Sequence, residues 1–357
     1  ILVVVGALLV YTFVSMLKGG QTFDQVLGRV IYTLFFGTSG VLSTPVQVCA
    51  KFIAVFIIFG AFLERTGISS FFIDLANAIA GWSSGGPAKV AVISSALCGM
   101  VSGSSVGNTV TTGSVTIPMM KRTGYKPEFA GAVEAAASTG GQIMPPIMGA
   151  AAFLMAEYMN VTYGQVTLWA ILPAVLYFGG IFISVHLEAK KLGLRGIPRS
   201  ELPRFKYLMR NVYLLLPLVF LIWVVTANIR SLQYAASIAI LISIAVSLVG
   251  TIRDAAAKET KTGSAAGIAV KKTGLMILEA LEAGGKGSIT VAVACSMAGM
   301  IAGCITVTGL ASKLISGVVA LSSKIPNPTL SLLLALFLTM LCCIVLGMGV
   351  PTTANYI

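Results

Sequence analysis

Long apolar segments separated by short polar runs make up most of this sequence. The most extended ones lie at 1–17, 46–63, 165–185, 212–226 and 234–249, and a charged residue or a glycine follows within a few positions of each. Because a helix rises about 1.5 Å per residue, about 20 apolar residues cross the roughly 30 Å hydrocarbon core of a bilayer. The pattern therefore predicts an all-α, polytopic membrane protein.

One polar run interrupts this pattern in the first half of the chain. Residues 99–113 are rich in glycine, serine and threonine and lie between the apolar stretches 90–97 and 115–120. Each arm of about 14 residues reaches only about 21 Å, too short for a crossing. The two arms fit a re-entrant helical hairpin over 88–120 whose polar tip lies at mid-membrane. Small-residue packing against a neighbouring helix is the alternative for this stretch taken alone.

A second stretch near the end of the chain repeats the pattern at an offset of 244 positions. Gly103 and Thr109 fall on Gly347 and Thr353, inside the run LGMGVPTTAN that follows an apolar arm. Two apolar segments can match by chance, but glycine and threonine shared at one offset favour a true internal repeat. Internal repeats with broken helices in corresponding positions indicate a transporter binding site.

A third interruption falls between the two tips. A helix predicted from residue 128 meets Thr139–Pro146, which holds two glycines and two prolines, and resumes over 147–159. Proline and glycine together predict a broken transmembrane helix over 128–159 rather than a mild bend. Such a break frees backbone carbonyls and amides, which need partners.

Charge predicts the orientation of these elements. The loops at 188–210 and 253–272 are strongly basic, which places both on the cytoplasmic side. Counting spans from these loops opens the first hairpin towards the cytoplasm and the second towards the outer face, so the repeats are inverted. The count uses an interfacial helix at 274–284 and a separate crossing at 288–307. A second interfacial helix is predicted at 69–82.

Composition excludes most other classes of protein. The hydrophobic fraction is 57%, the charged fraction 10% and the mean hydropathy +0.94, which no soluble domain needs. The net charge of +12 lies in loops and is not a nucleic-acid footprint. His186 is the only histidine and no phosphate-binding motif is present, so we predict neither an enzyme nor a cofactor.

The two tips and the break offer hydroxyls and free carbonyls, the hard oxygen donors that sodium requires. We predict ion ligands at Ser102, Gly103, Ser104, Ser105, Thr139, Gly140, Gly347, Thr352 and Thr353. Substrate contacts are predicted at Asn108, Thr109, Thr112, Gln142, Pro145, Gly349, Pro351 and Asn355. Back-bonding of each hydroxyl to its own helix is the alternative. Glu134, an intramembrane carboxylate, either assists ion coupling or forms a buried pair with a lysine.

These motifs carry a family resemblance. The run SGSSVGNTVTTGSVTIP at 102–118 resembles the first hairpin of the large membrane subunit of tripartite ATP-independent periplasmic (TRAP) transporters. The run EAAASTGGQIMPP at 134–146 resembles the fused-permease branch of that family, which works with TAXI-type binding proteins. The final residues 346–357 are similar to the second hairpin.

The resemblance implies an elevator-type secondary transporter in the cytoplasmic membrane of a bacterium or archaeon. It would import small organic acids by symport with sodium or protons, without a metal site beyond the transported sodium. Its partners would be a TAXI-type periplasmic substrate-binding protein and a small four-helix membrane subunit fused upstream. The rivals are a sodium/carboxylate symporter that needs no binding protein, and a structural or channel-like membrane subunit.

The predicted organisation has four parts. They are an N-terminal membrane helix with an interfacial segment (1–45), a first repeat (46–187), basic loops with scaffold helices (188–285), and a second repeat (286–357) cut short within its hairpin. Whether residues 20–45 cross the membrane is left open by their mixed composition.

Overall fold

The computed structural model describes residues 2–198, 200, 202–203, 205–227, 230–257 and 262–347, and these residues are nearly all helical. The chain divides into two compact units. One comprises Ile1–Lys51 with Ile289–Ile357, and the other is Phe52–Ser288. An all-helical chain is what the apolar pattern predicted.

The first part of the Phe52–Ser288 unit contains the elements that the hairpin and break were assigned to. Its helices are α4 (Ala54–Arg65), α5 (Ile68–Ala80), α6 (Gly86–Ser102), α7 (Ser105–Arg122), α8 (Pro127–Gly140), α9 (Ala150–Met159) and α10 (Tyr163–Lys191). The predicted hairpin is thus two helices joined by a two-residue turn. The predicted break is the non-helical stretch 141–149 between α8 and α9. Re-entry of the hairpin into the membrane stays a prediction.

The rest of this unit is built from longer helices. They are α11 (Phe205–Asn211), α12 (Leu216–Thr226), α13 (Leu232–Ala257) and the first part of α14 (Thr262–Thr308). The predicted separation of a helix at 274–284 from a crossing at 288–307 was wrong, because α14 is continuous through both. Where the two segments lie relative to the membrane stays a prediction. Two glycines of α14 pack closely against α4. A Cβ atom on Gly284 would lie 2.9 Å from Ile58 Cα, and one on Gly287 would lie 2.9 Å from Ile57 Cγ2.

The other unit holds both ends of the chain. It contains α1 (Leu2–Lys18), α2 (Phe23–Ile31), α3 (Thr44–Val48), the end of α14, α15 (Leu310–Ser322) and α16 (Pro328–Gly347). Val26, Val30, Leu34 and Cys304 form its buried cluster. The segment left open by the sequence contains α2, which has only 9 residues and is too short to cross a bilayer by itself.

Five helical stretches of the described chain are long and apolar enough to span a membrane. They are Thr44–Arg65, Tyr163–Lys191, Leu208–Thr226, Leu232–Arg253 and Val270–Thr308. Helix α6 is apolar but shorter, with 17 residues. Four of these stretches contain the apolar segments predicted at 46–63, 165–185, 212–226 and 234–249, whereas the predicted membrane helix at 1–17 falls among the shorter apolar helices as Val5–Lys18.

Small residues let α6, α7, α8 and α10 approach closely. Ala88 and Ala91 on α6 are completely buried against Ala130 and Ala137 on α8 and Ala189 on α10. Such small side chains are typical of helix contacts in membranes, where backbones pack directly. This four-helix packing positions the turn between α6 and α7.

The loop between α7 and α8 is fixed by Tyr125. Its ring stacks on Phe129 at 5.6 Å between centroids, and its hydroxyl donates to the Gly85 carbonyl at 3.5 Å. Burial, and to a smaller extent the charge of Glu188, raises the pKa of Tyr125 to about 12. The phenol therefore stays protonated, and stays a donor, across the physiological pH range.

Helix α6 touches the break backbone to backbone. A Cβ atom on Gly99 would lie 2.3 Å from Gly141 Cα, while one on Gly131 of α8 would meet no atom within 4 Å. We expect Gly99→Ala to lower the free energy of unfolding by about 1–3 kcal/mol, because backbone must move to admit the methyl group. Denaturant unfolding of the full-length protein in detergent, followed by circular dichroism, measures the change.

Gly131→Ala is the matched control for this substitution. It should be neutral or stabilising by up to about 1 kcal/mol, because alanine favours helix and the site is open. Equal stability of the two variants would contradict the close contact between α6 and the break.

Candidate functional site

The candidate site lies where the turn between α6 and α7 meets the break between α8 and α9. Gly103 adopts a left-handed conformation with φ of 58°, which glycine tolerates at little cost. A Cβ atom on Gly103 would lie 2.3 Å from the Met148 carbonyl oxygen. Met148 itself has φ of 58°. The turn and the break therefore meet through their backbones.

Ser104 starts the second helix of the pair. It is the N-cap of α7, and its hydroxyl accepts a hydrogen bond from the Gly107 amide at 3.2 Å. Such a cap satisfies one of the amides that the first turn of a helix leaves unpaired. The remaining amides of this turn point towards the same region, which favours negative charge or carbonyl oxygen nearby.

Two contacts fix the conformation of the break. The Gly149 amide donates to the Gln142 carbonyl at 2.7 Å, which closes 142–149 into a loop. The buried Tyr163 hydroxyl lies within hydrogen-bond reach of the carbonyls of Pro146, at 3.0 Å, and Ile147. Carbonyls freed by the broken helix thus find partners on the α10 side.

One side-chain contact joins the break to the turn. Gln142 Nε2 donates to Ser105 Oγ at 3.0 Å. This bond brings together a predicted substrate contact and a predicted ion ligand. Both side chains are only partly buried.

Glu134 is the most enclosed charged residue of this region, with no exposed surface. Its Oε1 accepts from Ser95 at 3.1 Å, from Ser138 at 2.9 Å and from Thr112, and its Oε2 accepts from Thr116 at 2.5 Å. No lysine or arginine pairs with it in the part of the chain that the structure describes. Among the described residues, four hydroxyls and no lysine hold this carboxyl group.

The hydroxyls around Glu134 come from three helices. Ser95 lies on α6, Thr112 and Thr116 on α7, and Ser138 on α8 beside Glu134. One carboxylate thus ties both arms of the helix pair to the first half of the broken helix. Ser95, Thr116 and Ser138 were not predicted from the sequence. The spacing of four residues between Thr112 and Thr116, and between Glu134 and Ser138, could have indicated hydroxyls beside the carboxyl group, because residues four apart share a helix face.

Asn108 and Thr112 are completely buried between the helices. Asn108 Nδ2 donates to the Ser95 carbonyl at 2.8 Å, and its amide lies against Gly141 of the break. The Oδ1 atom of Asn108 has no hydrogen-bond partner among the described atoms. Direct contact of these two side chains with substrate stays a prediction.

The remaining predicted ligands within the described residues fall into three groups. Thr109 and Thr139 bond back to the carbonyls of Ser105 and Ala135, at 2.8 and 2.7 Å, which leaves their lone pairs free to accept. Gly140 packs against the aromatic rings of α10, since a Cβ atom placed on it would lie 2.6 Å from Tyr177 Cε1. Ser102 and Pro145 border the turn and the break and are partly exposed.

The second tip is for the most part beyond the described residues. Gly347 is the last residue of α16. The predicted ligands that lie outside the described residues are Gly349, Pro351, Thr352, Thr353 and Asn355. Their roles stay predictions, as does the division of the chain into inverted repeats.

Metal-ligating side chains do not cluster within the described ranges. No group of three or more histidine, cysteine, aspartate or glutamate residues that could hold a metal ion occurs there. Oxygen donors of the turn and the break are the chemistry that this site offers.

Comparison with known proteins gives a family match for this chain. Residues 1–357 match the family described as "Tripartite ATP-independent periplasmic transporter, DctM component". Two relatives are each described as "C4-dicarboxylate TRAP transporter large permease protein DctM". The Vibrio cholerae protein is 28% identical over 186 residues, covering 51% of this chain and 38% of the relative. The Pseudomonas aeruginosa protein is 30% identical over 150 residues, covering 42% and 35%.

A third relative is described by a different substrate. The "Sialic acid TRAP transporter large permease protein SiaM" of Vibrio cholerae is 25% identical over 168 residues, covering 47% of this chain and 39% of the relative. The chain spans less than half the length of these relatives, which are permeases by name and not enzymes. Since the family match extends over the whole sequence, this chain belongs to the DctM family of TRAP transporter large permeases.

Proposed function

We propose that the protein containing this chain is a secondary transporter that imports small organic acids by symport with an ion. The observation that carries the proposal is the contact between the α6–α7 turn and the α8–α9 break, where Gly103 meets Met148 and Ser105 meets Gln142. Two interrupted helices that face each other put carbonyls and helix ends at one place. Continuous helices, which a purely structural subunit would have, are absent at these positions.

Sodium is the coupling ion that we propose, with protons as the alternative. Ser102, Ser105 and Thr139 offer hydroxyl oxygens, and the turn and break offer carbonyls, all hard donors. The buried Asn108 Oδ1 on α7, which lies without a hydrogen-bond partner in the described structure, is a further oxygen donor. The second tip would supply Gly347, Thr352 and Thr353.

The proposed substrates are carboxylates. The relatives named above are described as permeases for C4-dicarboxylates and for sialic acid, both of which carry carboxylate groups. The α7 N-terminus beside Ser104 and Ser105 presents amides to an anion. Thr109, Gln142 and Pro145 border this region, and Gly349, Pro351 and Asn355 would complete it from the second tip.

The proposed setting follows the family. A periplasmic substrate-binding protein, which we propose to be of the TAXI type, would deliver the substrate. A small four-helix membrane subunit would be fused upstream of this chain. The whole would reside in the cytoplasmic membrane of a bacterium or archaeon and work as an elevator, with both hairpins moving together.

Uptake by the full-length protein in liposomes tests this function. Radiolabelled carboxylates are supplied with the purified binding protein under a sodium gradient alone or a proton gradient alone. We expect saturable uptake that needs both the sodium gradient and the binding protein. Equal uptake without the binding protein would favour the sodium/carboxylate symporter. Absence of saturable uptake under either gradient would favour a non-transporting subunit.

Ser105→Ala tests the ion site. Loss of the hydroxyl removes one proposed sodium ligand, so the sodium concentration at half-maximal uptake should rise about tenfold, equivalent to about 1.4 kcal/mol. Ser114→Ala is the matched control, because Ser114 lies on the same helix, is exposed, and bonds back to the Thr111 carbonyl at 3.1 Å. An unchanged sodium dependence in Ser105→Ala would contradict this ligand.

Glu134→Gln tests the carboxylate that ties the three helices together. The amide keeps the shape but places a donor among hydroxyl donors, so we expect a loss of about 1–3 kcal/mol in the free energy of unfolding. Because the same carboxylate positions the turn, half-saturation by sodium should also shift upwards. Glu157→Gln is the control, since Glu157 lies exposed on α9. A destabilised variant with unchanged sodium dependence would limit Glu134 to a structural role.

A further inference from the structure

A cationic cavity of about 640 Å³ lies in the Phe52–Ser288 unit, away from the turn and the break. Four basic side chains line it, against one carboxylate. The charged lining residues are Arg65, Arg210, Arg253, Lys272 and Glu279. The cavity therefore carries an excess of positive charge. The proposed transport mechanism assigns no role to these basic side chains.

The positive charges are only partly neutralised. Arg65 forms an ion pair with Glu279. Arg253 donates from Nη1 to the Arg210 carbonyl at 3.0 Å, and its guanidinium lies 5.9 Å from the Tyr213 ring centroid. These contacts hold Arg253 in place without cancelling its charge. The guanidinium of Arg210 and the ammonium of Lys272 have no carboxylate partner among the described side chains.

The basic residues of the cavity lie beside the ends of apolar segments in the sequence. Arg65 and Arg253 follow the segments 46–63 and 234–249, Arg210 precedes the segment 212–226, and Lys272 lies at the end of the basic stretch 253–272. The cavity is therefore at the level of the lipid headgroups. The count of basic loops predicts that this end of the spans lies on the cytoplasmic side, where anionic lipids attract basic residues.

Apolar side chains share the rest of the wall with the polar residues Thr66, Ser70, Asn211, Ser247 and Thr251. Phe71, Leu275 and Met276 line the cavity beside the basic groups, and Leu275 is 51% exposed. A ligand that fits this lining has an anionic head and an apolar part that extends towards the bilayer. A free inorganic anion would use the charges but not the apolar wall.

We propose that this cavity binds the phosphodiester headgroup of an anionic phospholipid. Arg210, Arg253 and Lys272 contact the phosphate oxygens, since guanidinium groups match phosphate geometry and ammonium acts as a point charge. The first carbons of the acyl chains lie along Leu275. One lipid phosphate thus lies beside basic side chains of four helices, α4, α11, α13 and α14.

Lipid titration of the full-length protein tests this site. Delipidated protein in detergent is titrated with phosphatidylglycerol, phosphatidylcholine or inorganic phosphate, and thermal unfolding reports binding. Native mass spectrometry counts the lipids that remain bound. The test variant is Arg210→Gln/Lys272→Gln, because neither side chain makes a described ion pair whose loss would unfold the protein. The control is Lys121→Gln/Arg195→Gln, which removes the same charge from exposed positions outside the cavity.

Phosphatidylglycerol should stabilise the wild type and the control variant at the same concentrations. The test variant should need about tenfold or more lipid for the same shift, since each basic residue near anionic lipid adds to the attraction. Equal response of test and control variants would overturn the proposal. So would equal stabilisation by phosphatidylcholine, which needs no net charge, or by inorganic phosphate, which would assign the cavity to a free anion.

Discussion

Burial of the Glu134 carboxylate without a cation constrains this whole region of the protein. An ionised carboxylate inside an apolar bundle is very unfavourable unless every oxygen is hydrogen-bonded. Here Ser95, Thr112, Thr116 and Ser138 supply those bonds from α6, α7 and α8. Because the donors come from three helices, moving any one of them leaves the carboxylate under-satisfied. The relative positions of the helix pair and the broken helix follow from this requirement.

Hydroxyl donors have a consequence that a lysine partner would not have. A hydroxyl turns about its C–O bond, and Thr112 and Thr116 also lie within reach of carbonyls on their own helix. Each can therefore donate to the carboxylate or to the backbone without moving its helix. The cluster can thus fix the geometry of the three helices while individual hydroxyls change acceptor.

Local sequence signals predicted where the helices are interrupted but not how the helices pack. The turn at Gly103 and the break after Gly140 were predicted because glycine and proline act through their own backbone. The hydroxyls around Glu134 were missed because their meeting depends on how three helices pack. The continuity of α14 through 274–307 was not predicted, because no residue of this stretch distinguishes one long helix from two shorter ones. The inverted arrangement depends on the second tip, most of which lies outside the described residues.

Two of the contacts between the helix pair and the broken helix are made by main chain alone. Gly99 lies against Gly141, and Gly103 lies against the Met148 carbonyl. The distance between the backbones at these two points does not depend on a side chain of either partner. A substitution at a neighbouring position, such as Thr109 or Gln142, can therefore leave that distance unchanged.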